Sequence, residues 1–348
     1  MIHRVSKYLF LILIFFNSQL IGAKNRESSS IKIVAAGDLM LGRWVQEVVL
    51  SEGWDYPFRQ IDSVLSDADI FFVNLEAPFG IGGEPFDKTY TFRVPPSFIN
   101  VLMAGGINVV SLANNHIMDY GPDVLAQTRE FLQKHNIKFS GAGENLKAAR
   151  KPAVLTIKDK SVAIASYSLT FPQEFWATDT SAGTCFPYDT FFYDDIRSFK
   201  ENYDLVIVSF HWSAELLNKP KDYQIELAHK TIDMGADLII GHHPHVIQGI
   251  EIYKGKIIAY SLGNFVFGSY SENARVSMIL KFFYGTNSIN KCRIYPINVY
   301  NKEVEFRPRL LIGECKVNFL KELQNLSREL NDNQVVVSND GWINLEIN

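Results

Sequence analysis

Apolar, β-branched runs that each stop at polar, ligand-type side chains constrain this chain more than any other feature. Residues 31–36 run into Gly37 and Asp38, 70–75 into Glu76, and 107–113 into Asn114, Asn115 and His116. Later, 205–210 run into His211 and 238–240 into the histidines of GHHPH. Between these runs lie helix signals. Residues 96–104 stop at Gly105 and Gly106, 122–135 begin at a proline, and 189–202 and 223–234 precede the fourth and fifth runs. Continuous apolar strands joined by helices predict parallel strands buried on both faces, an α/β architecture. In such sheets ligands gather at the carboxyl ends of the strands, where these polar residues stand.

The stretch LIIGHHPHVIQG at 238–249 holds three of the eight histidines within four positions. An extended backbone there would turn His243 and His245 into one cleft and His242 away from it, because side chains two apart share a face. Asn74 and Glu76 also stand two apart and would point to one side, in a strand otherwise expected to stay apolar.

Residues 153–169 read as a hairpin around Lys158, Asp159 and Lys160. Beyond Gly249 the pattern turns to antiparallel hairpins: 249–267 around Lys254 and Gly255, then 276–284, then 292–306 with a turn near Asn301. A last amphipathic helix over 317–330 carries Phe319, Leu320, Leu323, Leu326 and Leu330. No internal repeat or low-complexity tract interrupts the series. One large domain with a second β-layer is the economical reading.

The chain of 348 residues carries a formal net charge of -4, without the basic field that nucleic-acid binding needs. His3, Arg4 and Lys7 precede an apolar run over 8–16 and the small pair Gly22 and Ala23. That order is the order of an export signal, and the run is shorter than the roughly 20 residues of a spanning helix. Residues 1–23 are thus a signal peptide or a retained membrane anchor, the second because Ile21 is bulky for a cleavage site after Ala23; 24–30 are a linker. Cys185, Cys292 and Cys315 are too few and too scattered for a zinc ribbon or a disulfide framework. Cys292 and Cys315 could bridge neighbouring C-terminal strands, or all three could be plain thiols.

Asp38, Glu76, Asn115, His211, His243 and His245 make a mixed oxygen and nitrogen donor set. It suits two divalent ions such as Mn, Fe, Co or Zn better than calcium, which prefers oxygen cages, or structural zinc, which prefers thiolates. A pair of ions can clamp an anionic substrate and stabilise attacking and leaving oxygens together. His116, beside a ligand-type asparagine, is placed to protonate a leaving group or stabilise developing charge.

The segments GDLMLGR (37–43), VNLEAP (73–78), SLANNHIMDYG (111–121), FSGAGEN (139–145), HWSAE (211–215), GHHPHVIQGIE (241–251) and YSLGNFVF (260–267) resemble, in order, the CapA family of poly-γ-glutamate capsule biosynthesis proteins. That family is in turn similar to the calcineurin-like metallophosphoesterases. The resemblance implies a four-layer α/β/β/α sandwich, two mixed β-sheets flanked by helices, spanning 31–285, with 286–348 completing the same domain. It also implies two metals, with Asp38 as the first-strand carboxylate and Glu76 in the bridging place. Asn115 and His116 then form the asparagine-histidine pair, with His211 the isolated strand-end histidine and His243 and His245 the closing pair.

Met40 stands where the phosphoesterase pattern has a histidine, and Asn74-Leu75-Glu76 replaces its bridging aspartate motif, so Glu215, Asp119 or His242 would have to compensate. The resemblance implies an exported, envelope-associated protein, secreted or membrane-anchored, with a hydrolase site for an anionic polymer such as poly-γ-glutamate or for a phosphoester. Membrane-bound capsule synthesis proteins would be its partners. Arg43 or Arg93 would meet an anionic group, unless each forms a surface ion pair. The alternative is a non-catalytic polymer assembly or anchoring factor, which Met40 favours.

Overall fold

The computed structural model describes residues 30–346; the export segment and most of the linker lie outside the described residues. Among the described residues, no helix is long and apolar enough to cross a membrane. The first sheet contains β1 (Ile31–Met40), β2 (Ile70–Leu75), β3 (Val109–Ser111), β4 (Lys138–Ser140), β13 (Asn264–Phe267), β14 (Val276–Tyr284), β15 (Ile289–Asn298) and β16 (Arg309–Leu310), ordered β16-β15-β14-β1-β2-β3-β4 with β13 also on β1. The second contains β6 (Ala153–Ile157), β7 (Lys160–Ser168), β9 (Leu205–His211), β10 (Leu238–His242), β11 (Ile250–Tyr253) and β12 (Lys256–Ala259), ordered β11-β12-β10-β9-β7-β6. A small pair, β5 (Ala142–Gly143) and β8 (Gly183–Thr184), lies apart. The six longer helices are α1 (Trp44–Glu52), α2 (Ile99–Ala104), α3 (Gly121–Lys134), α4 (Phe192–Asn202), α5 (Asp222–Asp233) and α6 (Gly313–Arg328).

Strand alternation sorts the apolar residues into three buried layers. Ile33, Ala35, Ile70 and Phe72 meet Ile164, Ile207, Leu238 and Ile240 between the sheets. Their sequence neighbours Val34, Phe71 and Val73 face outward onto Val45 and Val49 of α1, Val101 and Leu102 of α2, and Leu125 and Leu132 of α3. On the far side, Val206, Val208 and Ile239 pack on Ile196 of α4 and on Ala228 and Ile232 of α5. Helix, sheet, sheet, helix is the four-layer sandwich. Each such side chain contributes about 1.5–3 kcal/mol relative to exposure, which makes burial on both sheet faces the main source of stability.

Several spans differ from the sequence reading. The 249–267 segment is not one hairpin: β11 and β12 pair antiparallel across Lys254 and Gly255, yet β12 also lies parallel to β10, and β13 crosses to β1 of the other sheet. Nor does 292–306 fold as a simple hairpin. The strand stops at Asn298, and a helical turn at Asn301–Val304 intervenes before β16. Asn301 explains it, since its side chain donates to the Phe267 carbonyl at 2.7 Å and accepts from the Phe306 amide at 3.0 Å. All three cysteines are free, so the bridge between Cys292 and Cys315 does not form; Cys292 is buried on β15 and Cys315 is exposed on α6.

Two local features aim the first-strand carboxylate. Between Ala35 and Asp38 the register of β1 against β2 shifts by one residue, a β-bulge. Strict alternation would turn Asp38 toward α1; the extra residue turns it inward, opposite Asn74. Gly37 permits the close approach of the β12–β13 connection, because a Cβ there would sit 1.7 Å from the Gly263 carbonyl oxygen. The Asp38 amide donates to that same oxygen at 3.0 Å.

Candidate metal centre

The strand ends converge between the two sheets. Ligand atoms of Glu76, His211 and His243 all lie within 4.8 Å of one another, and so do those of Asp38, Glu76 and His245. Glu76 belongs to both groups. Residues as far apart in sequence as Asp38 and His245 therefore surround one small volume, and five of the six expected metal ligands fall into two triads with a common carboxylate. Asn115, the sixth, touches them through its Oδ1, 2.9 Å from His211 Nε2.

Asn74 is the centre that sequence reasoning placed on the right face but gave no role. Its Nδ2 donates to Asp38 Oδ1 at 2.8 Å and Glu76 Oε2 at 3.0 Å, and stands 3.3 Å from His211 Nδ1. Asn114 supports it from behind, donating to the Asn74 Oδ1 at 3.0 Å and the Leu75 carbonyl at 2.9 Å. Asn114 Oδ1 in turn accepts from the amides of His116 and Ile117, which fixes the turn carrying His116. Asn264 was also missed. It pairs with Asp38 in register across β13 and lies 3.0 Å from His245 Nδ1.

His242 does not face away from the site. It ends β10 in the same alternation as Leu238 and Ile240, so it points between the sheets, buried, with its ring 5.9 Å from Phe72 and Nδ1 3.3 Å from Asp38 Oδ1. The strand is already over at His243. His243 and His245 adopt positive φ of 94° and 60°, and this left-handed turn, rather than strand alternation, brings both imidazoles inward. The His243 amide also donates to Asp38 Oδ2 at 3.3 Å.

Of the three compensating residues, His242 backs Asp38, and Glu215 lines the cleft with His116 and His245. Asp119 serves His116 instead: buried, it accepts from the Phe92 amide at 2.7 Å and lies 2.7 Å from His116 Nδ1, with Lys88 Nζ 2.5 Å from its other oxygen. Met40 is buried in the core beneath α1 and its Sδ accepts from the Gly42 amide at 3.1 Å, so it is not a ligand. Both triads are complete without it.

Electrostatics fit a cation. Burial, reinforced by the Asp38 charge, raises the Glu76 carboxyl well above its ordinary range. Asp38 is equally buried, yet the imidazoles of His242 and His245, 3.3 and 3.2 Å from its oxygens, hold it well below. Burial keeps His211 neutral and lowers His243 to about 3, so both are neutral imidazoles at neutral pH. Glu76 Oε1 and His243 Nδ1 are buried with no hydrogen-bond partner. Buried polar atoms are rarely left so, and a divalent ion would satisfy both.

Above the triads a cleft of about 280 Å³ opens, lined by His116, Glu215, His245 and Asn264 on the inside and by Arg43, Trp44, Tyr90 and Tyr270 farther out. Arg43 forms no surface ion pair; its guanidinium lies 4.9 Å from the Tyr90 ring and 5.1 Å from the Phe92 ring. Arg93 leans on Tyr120 at 4.3 Å and does not line the cleft.

Fold and site together define an α/β sandwich protein with a cluster of carboxylates and imidazoles between its sheets whose geometry could hold a metal ion. Residues 32–269 match the family described as bacterial capsule synthesis protein PGA_cap, and the chain belongs to that family. It is 32% identical to the capsule biosynthesis protein CapA of Bacillus anthracis over 79% of this chain and 69% of that one. Likewise it is 32% identical to the PGA biosynthesis protein CapA of Bacillus subtilis (strain 168) over 76% and 70%. Among solved structures it matches the Haemophilus influenzae NAD nucleotidase with 15% identity and a TM-score of 0.47, covering 85% of this chain and 56% of that one.

Proposed function

We propose that this chain works at the cell envelope, outside the cytoplasm, as a divalent-metal-dependent hydrolase of the anionic capsule polymer, acting on its γ-glutamyl amide bonds. The observation that carries this reading is the sharing of Glu76 between two ligand triads, one of which reaches an open cleft through His245. Bound divalent ions would supply Lewis-acid polarisation of the scissile carbonyl. Asp38, Glu76, His211, His243 and His245 would hold them, with Asn115 beside His211.

The remaining work falls to side chains of the chain itself. His116, kept neutral by burial, has Nδ1 tied to Asp119, which leaves the Nε2 lone pair to take a proton from the attacking water and pass it to the leaving amine. The Phe92 ring, 4.3 Å from the His116 ring, and Phe267, 4.7 Å from the His245 ring, keep that end of the cleft poor in water. Export is supported by the basic, apolar and small-residue order of the first 23 residues.

The test is elemental analysis of the purified chain, followed by incubation with γ-linked glutamate oligomers and with a generic phosphodiester. Retained divalent metal, lost in Glu76→Gln, together with cleavage of the oligomers, is the expected result. A wild-type chain that retains no divalent metal and cleaves neither substrate overturns the reading.

A further inference from the structure

The geometry points to Arg43 as the residue that reads a carboxylate lying a short aliphatic arm from the bond being broken, which makes the substrate of this cleft an acidic γ-linked peptide. The inference rests on the proposed function and names what the outer half of the same cleft recognises.

Arg43 sits at the entry to α1 with φ of 55°, a left-handed conformation that a side-chain-bearing residue adopts at a cost. Its carbonyl accepts from the Gln46 amide at 3.0 Å, and the Gln46 side chain reaches the Arg93 carbonyl, so the turn is tied down. That turn carries the guanidinium over the cleft instead of along the helix. There it rests among the faces of Tyr90, Phe92 and Trp44, at 4.9, 5.1 and 5.8 Å. Among the described residues it has no carboxylate partner and no hydrogen bond, and it is the one Lys or Arg lining the cleft. Aromatic faces hold a guanidinium in place and leave its edge, where the donors are, free for a planar anion.

Position relative to the centre follows from shared neighbours. The Phe92 ring that carries Arg43 also lies 4.3 Å from the His116 ring and 6.4 Å from Phe267, which in turn lies 4.7 Å from His245. Arg43 is thus one aromatic ring away from the groups that would act on the bond. The inner end, next to the triads, is where the scissile carbonyl would lie, and Glu215 lines it. Away from the metal ligands, the fixed positive charge along the cleft is that of Arg43, and a second anionic group of the substrate meets it there. Between the ends the rings of Phe92 and Phe267 form an apolar wall, which suits methylene groups. A γ-linked glutamyl residue has this layout: a polarisable amide carbonyl, a short aliphatic arm and an α-carboxylate. A phosphodiester carries its charge on the reacting atom itself and would leave Arg43 without an anion to meet.

The test measures binding by calorimetry, so it does not depend on turnover. The probes are a short γ-linked glutamate oligomer and the same oligomer with its α-carboxylates converted to carboxamides, offered to the full chain, R43M and R43K. The wild type is expected to bind the acidic oligomer at least tenfold more tightly than the amidated one. R43M is expected to bind both alike, and R43K to keep part of the preference because it retains the charge but loses the planar fork. If the wild type discriminates and both variants discriminate equally well, the Arg43 assignment falls while the proposed function stands. Equal wild-type binding of both oligomers overturns the Arg43 assignment, and joined to turnover of a phosphodiester it removes the γ-glutamyl reading as well. Discrimination that R43M abolishes in a chain retaining no metal upholds Arg43 and refutes the metal chemistry alone.

Discussion

The Asn74 amide donates to Asp38 Oδ1 across the β1–β2 pair at 2.8 Å, and the bulge in β1 is what places the two side chains opposite each other. The same amide reaches Glu76, so one neutral donor set holds two buried carboxylates together. Replacing it with a side chain of similar size and no donors, Asn74→Leu, removes hydrogen bonds from both acids. The metal-free chain is expected to lose about 3 kcal/mol, the scale for stranding buried charged groups. Urea unfolding reads this directly, and an unchanged midpoint would mean that Asn74 is not the strut assigned here. Metal affinity should fall about 10- to 100-fold with it, the usual cost of losing a residue that orients ligands.

His116 and Asp119 act as a unit in the proposed chemistry, and neither belongs to the two triads. His116→Ala should therefore lower kcat on a cleaved γ-glutamyl substrate by about 10²- to 10⁴-fold, the range for a lost general acid. Metal content per chain should stay at the wild-type level. Asp119→Asn is expected to lower kcat less, because the imidazole remains but loses its anionic partner. Loss of metal in either variant contradicts the separation of roles.

Much of this was legible in the sequence, and the limits have physical causes. Apolar runs ending in polar groups located the strands and the rim, because a strand packed on both faces tolerates polar side chains only where the sheet stops. Asp38, Glu76 and the histidines stood out for that reason. Asn74 attracted notice only as the neighbour of Glu76, since an amide inside a strand carries no signal of its contacts with Asp38 and with His211, 137 positions away. The inward turn of Asp38 depends on a bulge and that of His243 and His245 on positive φ, and periodicity assumes neither. The crossing of β13 from the second sheet to β1 was hidden as well: 249–267 alternates like a hairpin, and only the partner across the sandwich decides otherwise. Asn264, carried by that strand, was quoted within YSLGNFVF without a role.

Thiol chemistry offers a test of the fold that ignores the site. Burial raises the thiols of Cys185 and Cys292 and shields them, whereas Cys315 is exposed on α6. One cysteine should react rapidly with an aromatic disulfide reagent in the native chain and three after denaturation. Loss of the rapid phase in Cys315→Ser identifies it. Rapid reaction of two or more native thiols would be incompatible with the burial of Cys185, which follows β8 and packs with Ala165 and Tyr167 of β7, and of Cys292 on β15.

Asp204, just before β9, supplies the pH dependence. Lys160 Nζ donates to it at 2.9 Å, and the Ser161 amide and hydroxyl each donate at 2.8 Å, so its carboxyl is held far below the usual aspartate range. A group whose pKa is depressed by folding stabilises the native state fully above its unfolded value, about 3.9, and loses that contribution as pH falls toward the folded value. The carboxyl is about a third exposed, so solvent screening keeps the contribution modest. Asp204→Asn is therefore expected to unfold at a lower temperature than the wild type near neutrality, with the gap narrowing steadily below about pH 4. Thermal unfolding of both chains from pH 7 to pH 3 measures it. A gap that stayed constant across that range would show that the charge of Asp204, as distinct from its shape, does not hold the β7 and β9 ends together.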